Sequence, residues 1–143
     1  MREPLNFGYA GRLLEVDLEQ GKVETVPFDR ELAASYLGGK GLGARILYDR
    51  LARGTDPLSA DNVLVFATGP LTGTPAPTSS RVLVCTKSPL TGLWLDSNAG
   101  GFFGPVLKRA GYDGVILTGA SSKPVILIID GKGVRLEDAS ELW

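Results

Sequence analysis

Histidine is absent from all 143 residues, and cysteine and methionine occur once each. The first absence excludes a Ser-His-Asp triad, a histidine general base and a histidine-ligated metal within this chain. The single cysteine, Cys85, excludes an internal disulfide, a four-cysteine zinc site and an iron–sulfur cage, and it reads as a small buried hydrophobe in a protein of a reducing compartment. An excess of charge of one sign is also missing: 15 Lys+Arg against 16 Asp+Glu leave a net charge of −1. No electrostatic footprint for nucleic acid or an anionic membrane follows from that balance. No apolar run approaches the ~18 residues of a membrane span, and the start, Met1 to Gly8, lacks the apolar core of a signal peptide. The expectation is a soluble cytoplasmic protein with no nucleic-acid or membrane partner. What is plentiful is glycine, 19 residues, close to twice the usual share of about 7% and without a collagen-like period. Glycine is therefore used for backbone geometry.

The length suits one domain, residues 1–143, large enough for a real core. Arg12 to Leu18 and Lys22 to Pro27 alternate partly between apolar and polar residues around Glu19-Gln20-Gly21, which predicts a β-hairpin. Asp29 predicts an N-cap for a helix through Leu37. A glycine-rich break, Gly38 to Gly41, precedes a second amphipathic helix from about Leu42 to Leu51. Beyond Asp56-Pro57 the pattern turns to short strands: Asn62–Ala67, Arg81–Thr86, Leu93–Asp96, Gly114–Thr118, Val125–Ile129 and Val134–Glu137, with a third helix over Phe102–Ala110. Strands and helices do not alternate regularly as in a doubly wound sheet, so the fold class is α+β, an antiparallel-rich sheet base with about three helices. The last residues, Asp138 to Trp143, offer a cap and then stop within a first helical turn. The expectation is a chain truncated at Trp143, with a strand edge or apolar face left open.

Three segments are candidates for chemistry. Gly39-Lys40-Gly41-Leu42-Gly43-Ala44 fits the spacing of a dinucleotide fingerprint, which demands a strand immediately before it. The segment ahead reads as a helix, so these glycines read as a link between two helices, with Lys40 still able to offer its ammonium to an anion. The long connection Thr68 to Ser80, stiffened by three prolines, delivers the chain to Arg81 at the foot of a strand, where the guanidinium fork can hold a phosphate through two parallel hydrogen bonds. A plain surface arginine is the competing reading. Asp96 to Pro105 leaves a strand and enters a helix through Gly100-Gly101, where absent side chains allow a ligand to approach the backbone; an Asn-capped helix is the alternative. Because Lys87 to Gly92 reads as a hairpin turn, Arg81 at the start of one strand and Asn98 at the end of the next should be neighbours. Asp56, Asp61, Asp96, Asp113 and Asp130 fall at loop or strand ends, where Asp makes turns and caps, and none is assigned to catalysis.

In order along the chain stand Gly-Arg-Leu-Leu-Glu-Val-Asp-Leu (11 to 18), Tyr-Leu-Gly-Gly-Lys-Gly-Leu-Gly (36 to 43) and Gly-Pro-Leu-Thr-Gly-Thr-Pro-Ala-Pro-Thr (69 to 78), then Thr-Lys-Ser-Pro-Leu-Thr-Gly (86 to 92), Asn-Ala-Gly-Gly-Phe-Phe-Gly (98 to 104) and Arg-Ala-Gly-Tyr-Asp (109 to 113). The series resembles the N-terminal domain of the aldehyde ferredoxin oxidoreductase family, the tungsten-containing pterin enzymes. The resemblance implies a sheet-built base for a tungsten (or molybdenum) bis-molybdopterin with a bridging Mg2+. It also implies oxidation of an aldehyde to its acid, and electrons passing through a [4Fe-4S] cluster ligated outside this chain to ferredoxin. Relatives acting on aryl-CoA thioesters or sugar phosphates are included in the same resemblance. By residue it makes Arg81 the phosphate arginine, Asn98 the asparagine whose backbone carbonyl helps hold magnesium, and Ala99 and Gly100 pterin-contacting positions. Ser79-Ser80 stand where the family usually has a glycine pair. The second pterin motif, the cluster cysteines and the substrate pocket are absent. The chain is thus expected to be a cofactor-binding portion of a larger enzyme, inactive alone and possible as a homo-oligomer. The alternative is a non-catalytic small subunit that docks on a partner.

Overall fold

A computed structural model describes residues 8–143; the leader expectation rests mostly on Met1 to Phe7, outside the described residues. The strands are β1 (Arg12–Asp17), β2 (Lys22–Pro27), β3 (Leu64–Thr68), β4 (Val82–Lys87), β5 (Trp94–Ala99), β6 (Gly114–Thr118), β7 (Val125–Asp130) and β8 (Gly133–Asp138); the helices are α1 (Arg30–Tyr36), α2 (Gly39–Arg50) and α3 (Phe103–Arg109). Six strands form one sheet in the order β2-β1-β6-β3-β4-β5, and β7-β8 form a separate hairpin. All neighbours in the large sheet are antiparallel except β1 and β6, which run parallel. The fold is α+β, as the strand and helix patterning implies.

Alternation along the strands creates two apolar faces. On one, Leu13, Val65, Ala67, Cys85 and Ile116 pack against Ala33 of α1 and Leu42, Ile46 and Leu47 of α2. On the other, Leu14, Val16, Phe66 and Val115 meet Leu107 of α3 and the inner residues of the β7-β8 hairpin, among them Leu127 and Leu136. The sheet is therefore the middle layer of three.

The helix pair departs from the sequence expectation in an instructive way. Asp29 caps α1 as expected, its carboxylate accepting from the Leu32 N–H at 2.9 Å. The left-handed backbone of the break runs over Leu37 (φ +60°), Gly38 (φ +141°) and Gly39 (φ +50°), yet α2 already begins at Gly39, with Lys40 and Gly41 in its first turn. The inner glycines serve close approach. A Cβ at Gly41 would lie 2.4 Å from the Tyr36 carbonyl oxygen, and one at Gly43 would lie 2.5 Å from Cys85 Sγ. Since α1 occupies the positions where a dinucleotide fingerprint needs a strand, that reading of Gly39 to Ala44 is excluded.

Candidate functional site

The site is built at one end of the sheet, where β3 finishes and β4 begins. The long connection after β3 is closed on itself, with Gly73 N–H donating to the Ser79 carbonyl at 3.0 Å and Ser79 Oγ donating to the Thr74 carbonyl at 2.8 Å. Thr72 ties this loop to the strand that follows it: its buried hydroxyl accepts from Gly69 N–H and donates to the Arg81 carbonyl, both at 3.1 Å. Backbone at Arg81 is thus fixed by an interaction nine residues back, while the side chain stays exposed. Among the described residues no hydrogen bond or ion pair engages its guanidinium, which leaves the fork available.

Register places the second part of the site beside it. Val82 lies opposite Ala99 and Leu83 opposite Asn98, so Arg81 and the Asn98 to Gly100 stretch occupy adjacent ends of an antiparallel pair, as the hairpin reading expects. The turn is held by Ser88, whose N–H donates to the Leu93 carbonyl and whose carbonyl accepts from Gly92 N–H, each at 2.8 Å. Strand β5 is longer than its apolar run suggests, because pairing with β4 carries it through Asn98 and Ala99. Asn98 consequently does not cap α3, whose N-cap is Phe102 with no side-chain hydrogen bond. Gly100 and Gly101 follow, and a Cβ built at either meets nothing within 4 Å. Here the backbone is bare and open to a ligand.

Two features of the neighbourhood escape a linear reading. Lys40, in the first turn of α2, pairs with Asp96 of β5 at 2.8 Å, and the Trp94 indole N–H donates to the other carboxylate oxygen at 3.2 Å. These contacts hold the Asp96 carboxyl below its ordinary pKa, the Lys40 hydrogen bond first and the Trp94 hydrogen bond second. Asp113, expected to make a turn, is instead a fully buried anchor that accepts from the N–H groups of Ala10 and Gly11 and pairs with Lys108 of α3. Spacing gives no sign of either pair. Cys85 is buried, as expected, and burial pushes its thiol up to about 11. An apolar groove of about 450 Å3, bordered by Leu47, Tyr48, Leu93 and Trp94, opens at the turn end of β4 and β5, away from Arg81. Strand β5 is an edge of the sheet. Among the described residues no cluster of His, Cys, Asp and Glu suits a metal ion, and no helix is long and apolar enough to cross a membrane.

A family model described as the N-terminal domain of aldehyde ferredoxin oxidoreductase matches residues 13–143. The chain belongs to that family. It is 46% identical over 137 residues to the tungsten-containing aldehyde ferredoxin oxidoreductase of Pyrococcus abyssi, covering 96% of this chain and 23% of the relative. It is 38% identical over 140 residues to the aliphatic sulfonate oxidoreductase, WOR-like subunit, of Pyrococcus furiosus, covering 96% of this chain and 22% of that protein. Among solved structures, the active-site complex BamBC of benzoyl coenzyme A reductase with 1,5-dienoyl-CoA superposes with a TM-score of 0.93 at 44% identity, over 96% of this chain and 21% of the matched one. The chain thus spans less than a quarter of these relatives, and the family they represent is one of oxidoreductases.

Proposed function

We propose that this chain is the N-terminal part of a cofactor-binding domain in a larger oxidoreductase, and that the β4-β5 end anchors a tungsten (or molybdenum) bis-molybdopterin. The observation that carries the reading is the juxtaposition of Arg81 with the Ala99 to Gly100 backbone at one end of an antiparallel pair. The residues fit a phosphate-bearing group: an unengaged guanidinium stands beside glycines whose backbone nothing covers. Arg81 would hold a pterin phosphate through its fork, the Asn98 carbonyl would help hold a magnesium ion, and Ala99 and Gly100 would line the approach of the pterin.

When bound, such a group supplies two-electron redox chemistry, for which the proposed net reaction takes an aldehyde and water to a carboxylic acid, two electrons and two protons. The chain's own contribution is binding and orientation. Thr72 fixes the Arg81 backbone, and pairing with β4 fixes Asn98 and Ala99. The electrons would leave through a [4Fe-4S] cluster ligated outside this chain to ferredoxin or a similar acceptor, since one cysteine cannot hold a cluster.

Metal content and turnover of the longer protein carrying this domain test the reading. Arg81→Ala should lower tungsten occupancy, because a charge-assisted contact of roughly 1.5–3 kcal/mol is lost. Arg81→Lys should recover part of it, having the charge without the planar fork. Full metal content with lost turnover would place Arg81 in the reaction and remove it from the anchor.

A further inference from the structure

From the β4-β5 register we infer that Lys40 is a second anion-binding residue of the Arg81 site, held in reserve by Asp96 and transferred to a phosphate-bearing polyanion when one binds. This rests on the reading of Arg81 as a phosphate anchor and adds to it a residue, a ligand size and an exchange step.

Side chains on alternate strand residues share a face, and directly paired residues share it too. Cys85 meets Gly43 of α2, and Leu83 lies 3.1 Å from a Cβ built at Gly39, so both face α2. Arg81 continues that row beyond Leu83. Across the ladder, Asn98 pairs with Leu83 and Asp96 with Cys85, which sets Asn98 midway between Arg81 on one side and the Lys40-Asp96 pair on the other. Four residues separate the rung of Asp96 from Arg81, roughly 13 Å at about 3.3 Å per residue. Two long cationic side chains extended toward each other close that gap around a group larger than one phosphate. The Lys40 side chain is 61% exposed while that of Asp96 is 22% exposed, so the ammonium is free to swing and the carboxylate is the fixed partner. An exposed pair of this kind is held weakly, and a polyanion beside Asn98 offers Lys40 more negative charge than one carboxylate does.

The test titrates the 143-residue chain with inorganic pyrophosphate, followed by amide chemical shifts at low ionic strength, with circular dichroism confirming that each variant is folded. Lys40→Gln should weaken binding about fivefold, the effect of one unit charge at contact distance in water. Lys40→Arg should retain it, and Asp96→Asn should tighten it by releasing the ammonium. Pyrophosphate should be favoured over orthophosphate in the wild type, and that preference should shrink in Lys40→Gln. If Arg81→Gln abolishes binding while Lys40→Gln leaves it unchanged, the Lys40 assignment falls and the Arg81 reading stands. If Arg81→Gln has no effect, or the wild-type chain shows no shift with pyrophosphate, both fall.

Discussion

Replacing Gly43 by alanine sets two opposed effects against each other in the helix that carries Lys40. Helix propensity alone favours alanine by about 0.8–1.0 kcal/mol. Packing opposes it: the new Cβ would lie 2.5 Å from Cys85 Sγ and 2.9 Å from Cys85 Cβ, against the ~3.5–4.0 Å of ordinary carbon contacts. Cys85 is completely buried and cannot turn away, so α2 has to lift by about 1 Å from β4, loosening Leu42, Ile46 and Leu47 from the sheet. Overpacking of that order costs about 1–3 kcal/mol, leaving a net change between roughly zero and 2 kcal/mol of destabilisation once propensity is subtracted. Urea unfolding reads this as a lower midpoint at unchanged slope. A double-mutant cycle with Cys85→Ala isolates the cause, since removing the sulfur relieves the nearest clash and should return much of the loss as a favourable coupling. A Gly43→Ala protein about 1 kcal/mol more stable than wild type, the outcome propensity predicts, would refute the close approach of α2 to β4.

Asp113→Ala should destabilise by about 3–5 kcal/mol, because it strands the nearly buried Lys108 ammonium and leaves the N–H groups of Ala10 and Gly11 without their acceptor; thermal or urea unfolding measures it. Cys85 should resist a thiol reagent at pH 8 and react fully once unfolded, since its thiol is buried and titrates at about 11. The same shift carries a sign for stability. The folded pKa lies above the ordinary value of 9.0, so the folded state binds the extra proton, and the contribution present below pH 9 is lost as pH rises through about 11. An alkaline midpoint that moves upward in Cys85→Ala would agree with this, and an unchanged one would not.

Local interactions were legible in the sequence and long-range ones were not. The β1-β2 hairpin and the Asp29 cap are decided by residues within a few positions of each other, so alternation and capping chemistry reach them directly. The adjacency of Arg81 and Asn98 is legible for the same reason: only a hairpin turn separates their strands. The parallel pairing of β1 with β6 joins residues about a hundred positions apart, such as Leu13 and Gly114, and no periodicity announces it. Gly38 to Gly41 reads as a break because glycine signals backbone geometry without saying whether a turn or a close neighbour needs it. At Gly41 the Tyr36 carbonyl is the neighbour that decides. Asp113 looked like a turn residue because its partners at Ala10 and Gly11 are remote in sequence. The resemblance adds what pattern alone does not: which of several loop-end polar groups are proposed to meet a cofactor.

The most direct measurement is the position of the pterin phosphates relative to this domain in an experimentally determined structure of the cofactor-loaded longer protein. The account predicts a phosphate oxygen within hydrogen-bond reach of the Arg81 guanidinium, with magnesium on the Asn98 carbonyl and Gly100 against the pterin. A cofactor seated on the β7-β8 face or at the β2 edge, with Arg81 left in solvent, would contradict it.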